Sequence, residues 1–223
     1  MMTIKPIAFI QNDYTDKFAV PRQSGLAALP SRILFEPAYN DANAVRGIEA
    51  YSHLWLIWGF SKNIREEQSL TVRPPRLGGN ERRGVFATRS PYRPNNLGLS
   101  SVRLLSVDYD EHRHPVLTVS GADLINGTPI YDIKPYIQFT DSHEDAVSGI
   151  ADTVPFRQLE IVIDDAQLAQ LPVEKQAYLK EILASDPRPA YQQDDSRVYG
   201  FSFANKEIRF RVEANTLTVL EIR

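Results

Sequence analysis

Apolar and polar positions alternate along much of the first 140 residues, and the period is that of strands rather than helices. The clearest run is His53-Leu-Trp-Leu-Ile-Trp-Gly-Phe60. Segments rich in β-branched and aromatic residues predict strands over Ile4–Gln11, Arg32–Glu36, Tyr51–Phe60, Gly84–Thr88, Leu99–Asp108, Val116–Ser120 and Pro129–Ile133, with Gly, Pro and Asn between them. No amphipathic helix of useful length interrupts them. This is the pattern of an all-β barrel or sandwich, in which the connecting loops carry function.

Beyond residue 140 the pattern changes. Residues 141–157 are polar and poor in aromatics, which predicts a linker between a unit over 1–145 and another over 146–223. A strand follows at Leu159–Ile163. Leu168, Leu171, Tyr178, Leu179, Ile182 and Leu183 then recur at helical spacing, with Pro172 where a first turn tolerates it. Strands over Arg197–Phe203, Glu207–Glu213 and Thr216–Ile222 complete a small α+β unit, too small to hold a large core alone.

Composition narrows the chemistry. There is no cysteine, so disulfides, thiolate catalysis and Cys-type zinc sites are excluded. No apolar run approaches the roughly 20 residues that span a bilayer, and residues 1–20 carry Lys5, Asp13, Asp16 and Lys17, so a cytoplasmic protein is expected. Residues 1–103 hold 14 Lys and Arg against 8 Asp and Glu, whereas residues 104–223 hold 11 against 20. Within 73–103 stand Arg73, Arg76, Arg82, Arg83, Arg89, Arg93 and Arg103, with Glu81 the one acid. Arginine's planar fork matches phosphate and carboxylate, so the cluster predicts oriented anion recognition. It lies across two loops dense in Pro and Gly, Arg73-Pro-Pro-Arg-Leu-Gly-Gly-Asn80 and Ser90-Pro-Tyr-Arg-Pro-Asn-Asn-Leu-Gly98.

Several chemistries are missing. No Gly-x-Gly occurs, which disfavours dinucleotide and P-loop folds. His112 and His114 read as an exposed hairpin tip rather than a metal site, and His53, ahead of a buried strand, reads as a hydrogen-bonding residue. No metal is expected.

What remains is a set of ordered loop motifs: Lys17-Phe-Ala-Val-Pro-Arg-Gln-Ser-Gly25, Ala44-Val-Arg-Gly-Ile-Glu-Ala-Tyr-Ser-His-Leu-Trp55, Val72-Arg-Pro-Pro-Arg-Leu-Gly-Gly79, Gly84-Val-Phe-Ala-Thr-Arg-Ser-Pro-Tyr-Arg-Pro-Asn95, Asp123-Leu-Ile-Asn-Gly-Thr-Pro-Ile-Tyr-Asp-Ile-Lys-Pro-Tyr136 and Asp186-Pro-Arg-Pro-Ala-Tyr191. Together they resemble the TsaA-like (YaeB/TrmO) family of tRNA methyltransferases over about residues 4–140, with the last motif marking that family's second domain. The resemblance implies a β-barrel enzyme that uses S-adenosylmethionine to methylate N6 of threonylcarbamoyl-adenosine at position 37, beside the anticodon. It implies cofactor contacts by Pro21, Arg22 and Gln23, by Ser61 and Lys62, by Arg89 and Leu99, and by Asn126, Gly127, Thr128 and Pro129. The chain departs from the family's usual Asp at Asn126 and from its usual His-Gln at Ser61-Lys62.

The reaction needs neither metal nor covalent enzyme intermediate, so positioning dominates. Asp186, Tyr191 and Asp132 are candidates to accept the proton from the exocyclic nitrogen. Arg73, Arg76, Arg93 and Arg188 are candidates to hold the RNA, with Arg188 and Tyr191 displayed in extended form by the prolines beside them. The anticodon loop of tRNA and a second copy of the chain are the expected partners. In this reading the barrel binds the methyl donor by itself, and removing residues 158–223 leaves cofactor affinity within a few-fold. A non-catalytic RNA-binding barrel and a hydrolase built on His53 or on His112 and His114 are the alternatives.

Overall fold

The computed structural model describes residues 3–62, 69–74, 81–153, 158–188 and 194–223. Six strands close into a barrel: β1 (Ala8–Gln11), β2 (Ser31–Phe35), β3 (His53–Gly59), β6 (Leu97–Tyr109), β7 (Pro115–Ser120) and β8 (Pro129–Pro135). Around the wall the order is β1-β2-β7-β6-β3-β8, every neighbour antiparallel, with β8 returning to β1. Two-residue strands β4 (Thr71–Val72) and β5 (Arg83–Gly84) form a separate ribbon in the β3–β6 connection.

The alternation in β3 has the expected consequence. Leu54, Leu56 and Trp58 fill the barrel with Ile10, Ile33, Val102, Leu117, Val119 and Ile130, and the residues between them face outward. Trp58 is accommodated because residue 98 opposite it is glycine: a Cβ there would sit 2.3 Å from the indole. Gly98→Ala is therefore expected to overpack the barrel and destabilise it by about 1–3 kcal/mol, visible as an earlier midpoint in chemical denaturation.

The second sheet has the order β10-β11-β12-β9, from β9 (Glu160–Val162), β10 (Tyr199–Phe203), β11 (Lys206–Glu213) and β12 (Thr216–Ile222), with β9 and β12 parallel. Among the described residues four short or medium α-helices accompany the chain here: α1 (Gln138–Asp141), α2 (Ile150–Thr153), α3 (Asp165–Leu168) and α4 (Val173–Ala184). Leu168 and Leu179 thus belong to separate helices, because Pro172 forms the N-cap of α4 and cannot continue α3 through it. The polar stretch expected as plain linker contains α2 and part of α1.

The core under this sheet is not confined to the C-terminal residues. Tyr14, Ala19, Ala27 and Leu29, all from the β1–β2 connection, are buried with Leu179, Ile182, Leu183, Phe201, Phe203 and Phe210. Lys175 pairs with Asp13, and the Glu181 carboxylate accepts the Ala28 N–H at 2.7 Å. The segment carrying the Pro21-Arg-Gln motif is therefore built into the second sheet.

Candidate active site

Strand directions collect the candidate residues. The ends of β1, β3 and β7 and the starts of β2, β6 and β8 lie together, so the connections 12–30, 60–96 and 121–128 all emerge from one end of the barrel, its mouth. The hairpin bearing His112 and His114 emerges from the other end, exposed, with His114 and Asp110 3.1 Å apart. No group of three or more metal-ligating side chains occurs among the described residues.

At the mouth, hydrogen bonds and electrostatic attraction centred on Asp123 link the three connections. The Trp58 indole N–H donates to Ser100 Oγ at 2.9 Å, and the buried Ser100 hydroxyl donates to the Asp123 carboxylate at 2.5 Å. The backbone N–H of Ser24 and the guanidinium of Arg89 also act on that carboxylate. Burial pushes the Asp123 carboxyl above its ordinary value, against the pull of these partners. Arg89 in turn donates to Gln23 Oε1 at 2.6 Å. One carboxylate thus bridges the β1–β2, β3–β6 and β7–β8 connections.

The turn over 126–129 is fixed to the same place. Asn126 donates its N–H to the Tyr14 carbonyl at 2.8 Å and accepts the Asn12 N–H on Oδ1 at 3.0 Å. An aspartate at 126 would offer the same acceptor, so the departure from the usual residue leaves this contact intact. Gly127 has φ 78°, a left-handed conformation, and donates to the Ile10 carbonyl at 2.8 Å. Thr128 is buried, with its hydroxyl on the Ile125 carbonyl, and Pro129 starts β8.

Arg22 leaves the barrel. Its guanidinium donates to the carbonyls of Asp186 (3.0 Å) and Arg188 (2.6 Å), tying the Asp186-Pro-Arg turn to the mouth. Asp186 itself takes φ 54°, the left-handed position that ends α4, so the segment begins as a tight turn rather than in extended form. Both Asp186 carboxylate oxygens accept from Arg188, each at 2.9 Å. The two charges expected to serve proton transfer and RNA contact are thus engaged with each other. Tyr191 and Arg76 lie outside the described residues.

Other candidates lie apart. Leu99 and Asp132 pair with Ile57 from either side, so all three share one level of the outer wall; Leu99 is 60% exposed and Asp132 is 3.3 Å from Lys134. Arg103 pairs with His53 at the far end of β3 and so leaves the arginine group of the mouth. Ser61 and Lys62 are exposed just past Phe60, whose N–H binds the Asn96 carbonyl at 2.8 Å. Arg73 is exposed beyond β4, whereas Arg93 donates inward to the Val85 (3.2 Å) and Thr88 (2.6 Å) carbonyls. Those bonds explain why Gly84–Thr88, expected as a strand, forms a 3-10 turn over Val85–Ala87: its carbonyls are held by Arg93 and Thr88 instead of by a neighbouring strand.

Asp123, Ser100 and Trp58 were not singled out by sequence pattern. The signal for Asp123 is a lone acid between Ala122 and Leu124, both buried.

The molecule is thus a closed antiparallel barrel whose loops assemble a polar mouth bearing arginines, with a small α+β unit bound to one of those loops. The family model for the tRNA-methyltransferase O N-terminal domain matches residues 9–142, and that for the TrmO C-terminal domain matches residues 156–223. The chain belongs to this family. It is 41% identical over 216 residues to the tRNA (adenine(37)-N6)-methyltransferase of Escherichia coli K12, covering 92% of this chain and 91% of that protein. It is 39% identical over 211 residues to a Pseudomonas aeruginosa protein provisionally named S-adenosylmethionine-dependent methyltransferase RcsF, covering 89% and 87%. The crystal structure of TrmO from Pseudomonas aeruginosa superimposes with a TM-score of 0.78 at 28% identity, over 100% of this chain and 99% of that one.

Proposed function

We propose that this chain is an S-adenosylmethionine-dependent methyltransferase acting on N6 of threonylcarbamoyl-adenosine at position 37 of tRNA. The observation that carries the reading is the convergence on Asp123 of the three mouth connections, together with similarity that runs the length of both domains. The mouth suits a cationic sulfonium cofactor: it offers a partly buried carboxylate, the Trp58–Phe60 aromatic pair (centroids 4.3 Å apart) and loop backbone from 21–23 and 126–129. When bound, the cofactor supplies an electrophilic methyl group, so that an N–C bond forms as the S–C bond breaks and N6 loses its proton.

The residues of the chain bind and orient. Asp123 acts as a positioning residue that holds Ser24 and Arg89 in place, and Arg89 holds Gln23. Of the expected proton acceptors, Asp132 faces the outer wall and Asp186 is held by Arg188, which leaves Tyr191 or water to take the proton. Residues 1–145 supply the donor-binding contacts in this reading, with the 12–30 connection held by packing against residues 146–223, which also assist tRNA binding through the turn that Arg22 tethers.

Arg73, Arg82, Arg83 and Arg89, all in the β3–β6 connection, are placed to neutralise phosphates of the anticodon loop. Four such contacts give a slope of about −3 for log affinity against log salt, and Arg82→Ala is expected to flatten it by about 0.7. A flat plot for the unaltered protein would remove the mouth from RNA binding.

A homodimer in the cytoplasm is the expected working form. Among the described residues no helix is long and apolar enough to cross a membrane. Light scattering at micromolar concentration should give a particle about twice 25.3 kDa, and a monomer mass would reject the dimer.

The deciding experiment incubates the protein with labelled S-adenosylmethionine and tRNA from cells lacking this gene, followed by nucleoside mass spectrometry. A methyl group on N6 of the threonylcarbamoyl nucleoside is expected. Tight cofactor binding without transfer to any nucleoside would sink the proposal.

A further inference from the structure

Phe86 stands on the rim of the mouth with 74% of its surface in water. The backbone on either side of it is held by hydrogen bonds. Val85 beneath it is buried and donates its N–H to the Leu70 carbonyl at 2.9 Å. Thr88 closes the turn with its hydroxyl on the Val85 carbonyl at 2.9 Å, and Arg93 clamps the Val85 and Thr88 carbonyls from below. The Arg93 guanidinium carbon lies 6.0 Å from the centre of the Phe86 ring, which supports one face by cation–π contact and leaves the ring presented to solvent.

The surroundings define what such a ring can take. Arg82, Arg83 and Arg89 flank it in sequence and are exposed, and Glu81, the one acid among the described residues of this connection, is paired with Arg83 at 2.6 Å. A protein-binding patch would be wider in apolar area and depleted of charge at its centre. A single aromatic face ringed by cations fits an unpaired base flanked by phosphates, since every base has a π-face and the chain between bases is anionic.

We propose that Phe86 is a stacking platform for an unpaired nucleobase of the RNA substrate, with the phosphates beside that base held by the arginines at 82, 83 and 89. The assignment rests on the function proposed above and goes further by naming the residue that receives a base.

The test measures binding of a fluorescent anticodon stem-loop by anisotropy for the unaltered protein, Phe86→Ala, Phe86→Trp and Arg82→Ala, at several salt concentrations. Phe86→Ala should weaken binding by about 5- to 150-fold while leaving the salt slope unchanged, because stacking releases no counterions. Phe86→Trp should restore affinity, and Arg82→Ala should change the slope. Cofactor affinity and denaturation midpoint should stay as in the unaltered protein. Unchanged RNA affinity in Phe86→Ala, with the unaltered protein binding and methylating tRNA, would overturn the assignment and leave the function standing. A change of particle mass in Phe86→Ala would overturn it differently, by showing that a second copy of the chain covers the ring. If the unaltered protein neither binds nor methylates RNA, the functional reading falls and the platform with it.

Discussion

Asp123→Ala should weaken cofactor binding by about 150-fold with the barrel still folded. The carboxylate accepts from the Ser100 hydroxyl and the Ser24 N–H and faces Arg89, so its removal releases two mouth loops at once and leaves buried donors without a partner. A charge-assisted hydrogen bond contributes about 1.5–3 kcal/mol, or roughly 10- to 150-fold, and the several lost here put the effect at the upper end. Calorimetry measures it; affinity within twofold of the unaltered protein would show that the mouth does not hold the donor.

Asp123→Asn isolates the charge. Burial raises this carboxyl, so the folded protein holds the proton more tightly than the unfolded chain does. Stability on this account falls as pH rises from the ordinary Asp value through the raised one, and the cost is present in full above it. The asparagine variant should therefore be at least as stable as the unaltered protein near neutral pH, yet bind cofactor more weakly. On acidification the unaltered protein's affinity should drop toward that of the variant, while the variant's stays level.

The second large effect concerns residues 158–223. A barrel shortened to exclude them is expected to lose measurable cofactor binding and to be cut by protease within 12–30. Tyr14, Ala19, Ala27 and Leu29 would be stripped of their cover, and the contacts of Asp13, Ala28 and Arg22 with Lys175, Glu181 and the 186–188 turn would vanish. Arg22→Ala removes only an exposed tether and should cost less than about tenfold. Near-normal affinity in the shortened barrel would restore the simpler division of labour expected from the sequence.

The core that residues 12–30 share with the second sheet is hidden in the sequence for a physical reason. The residues that join the second core sit in a loop broken by Pro21 and Gly25, so they show neither the helical nor the strand period by which core positions are recognised. Strands were legible where one face is buried, as in β3, where Leu54, Leu56 and Trp58 alternate with outward residues. Val85-Phe-Ala-Thr88 has strand composition but forms a turn, because Arg93 and Thr88 take its carbonyls, and such contacts depend on the fold rather than on local propensity. The loops of the site were legible from their prolines, glycines and arginines, and spacing alone could not separate Gln23 and Arg89, which meet, from Leu99 and Asp132 on the outer wall.

The shared core also sets a timetable for synthesis. Residues 12–30 leave the ribosome well before Phe201, Phe203, Phe210 and Leu217, against which they pack. Barrel closure likewise waits for β8 to reach β1. Contacts between such distant parts of a chain form slowly, because the intervening loop must first be closed. The nascent protein therefore carries Tyr14 and Leu29 uncovered until those residues are made, and a chain halted before β10 leaves this core unfinished. Chains halted there expose apolar residues of the kind that draw chaperones and proteases.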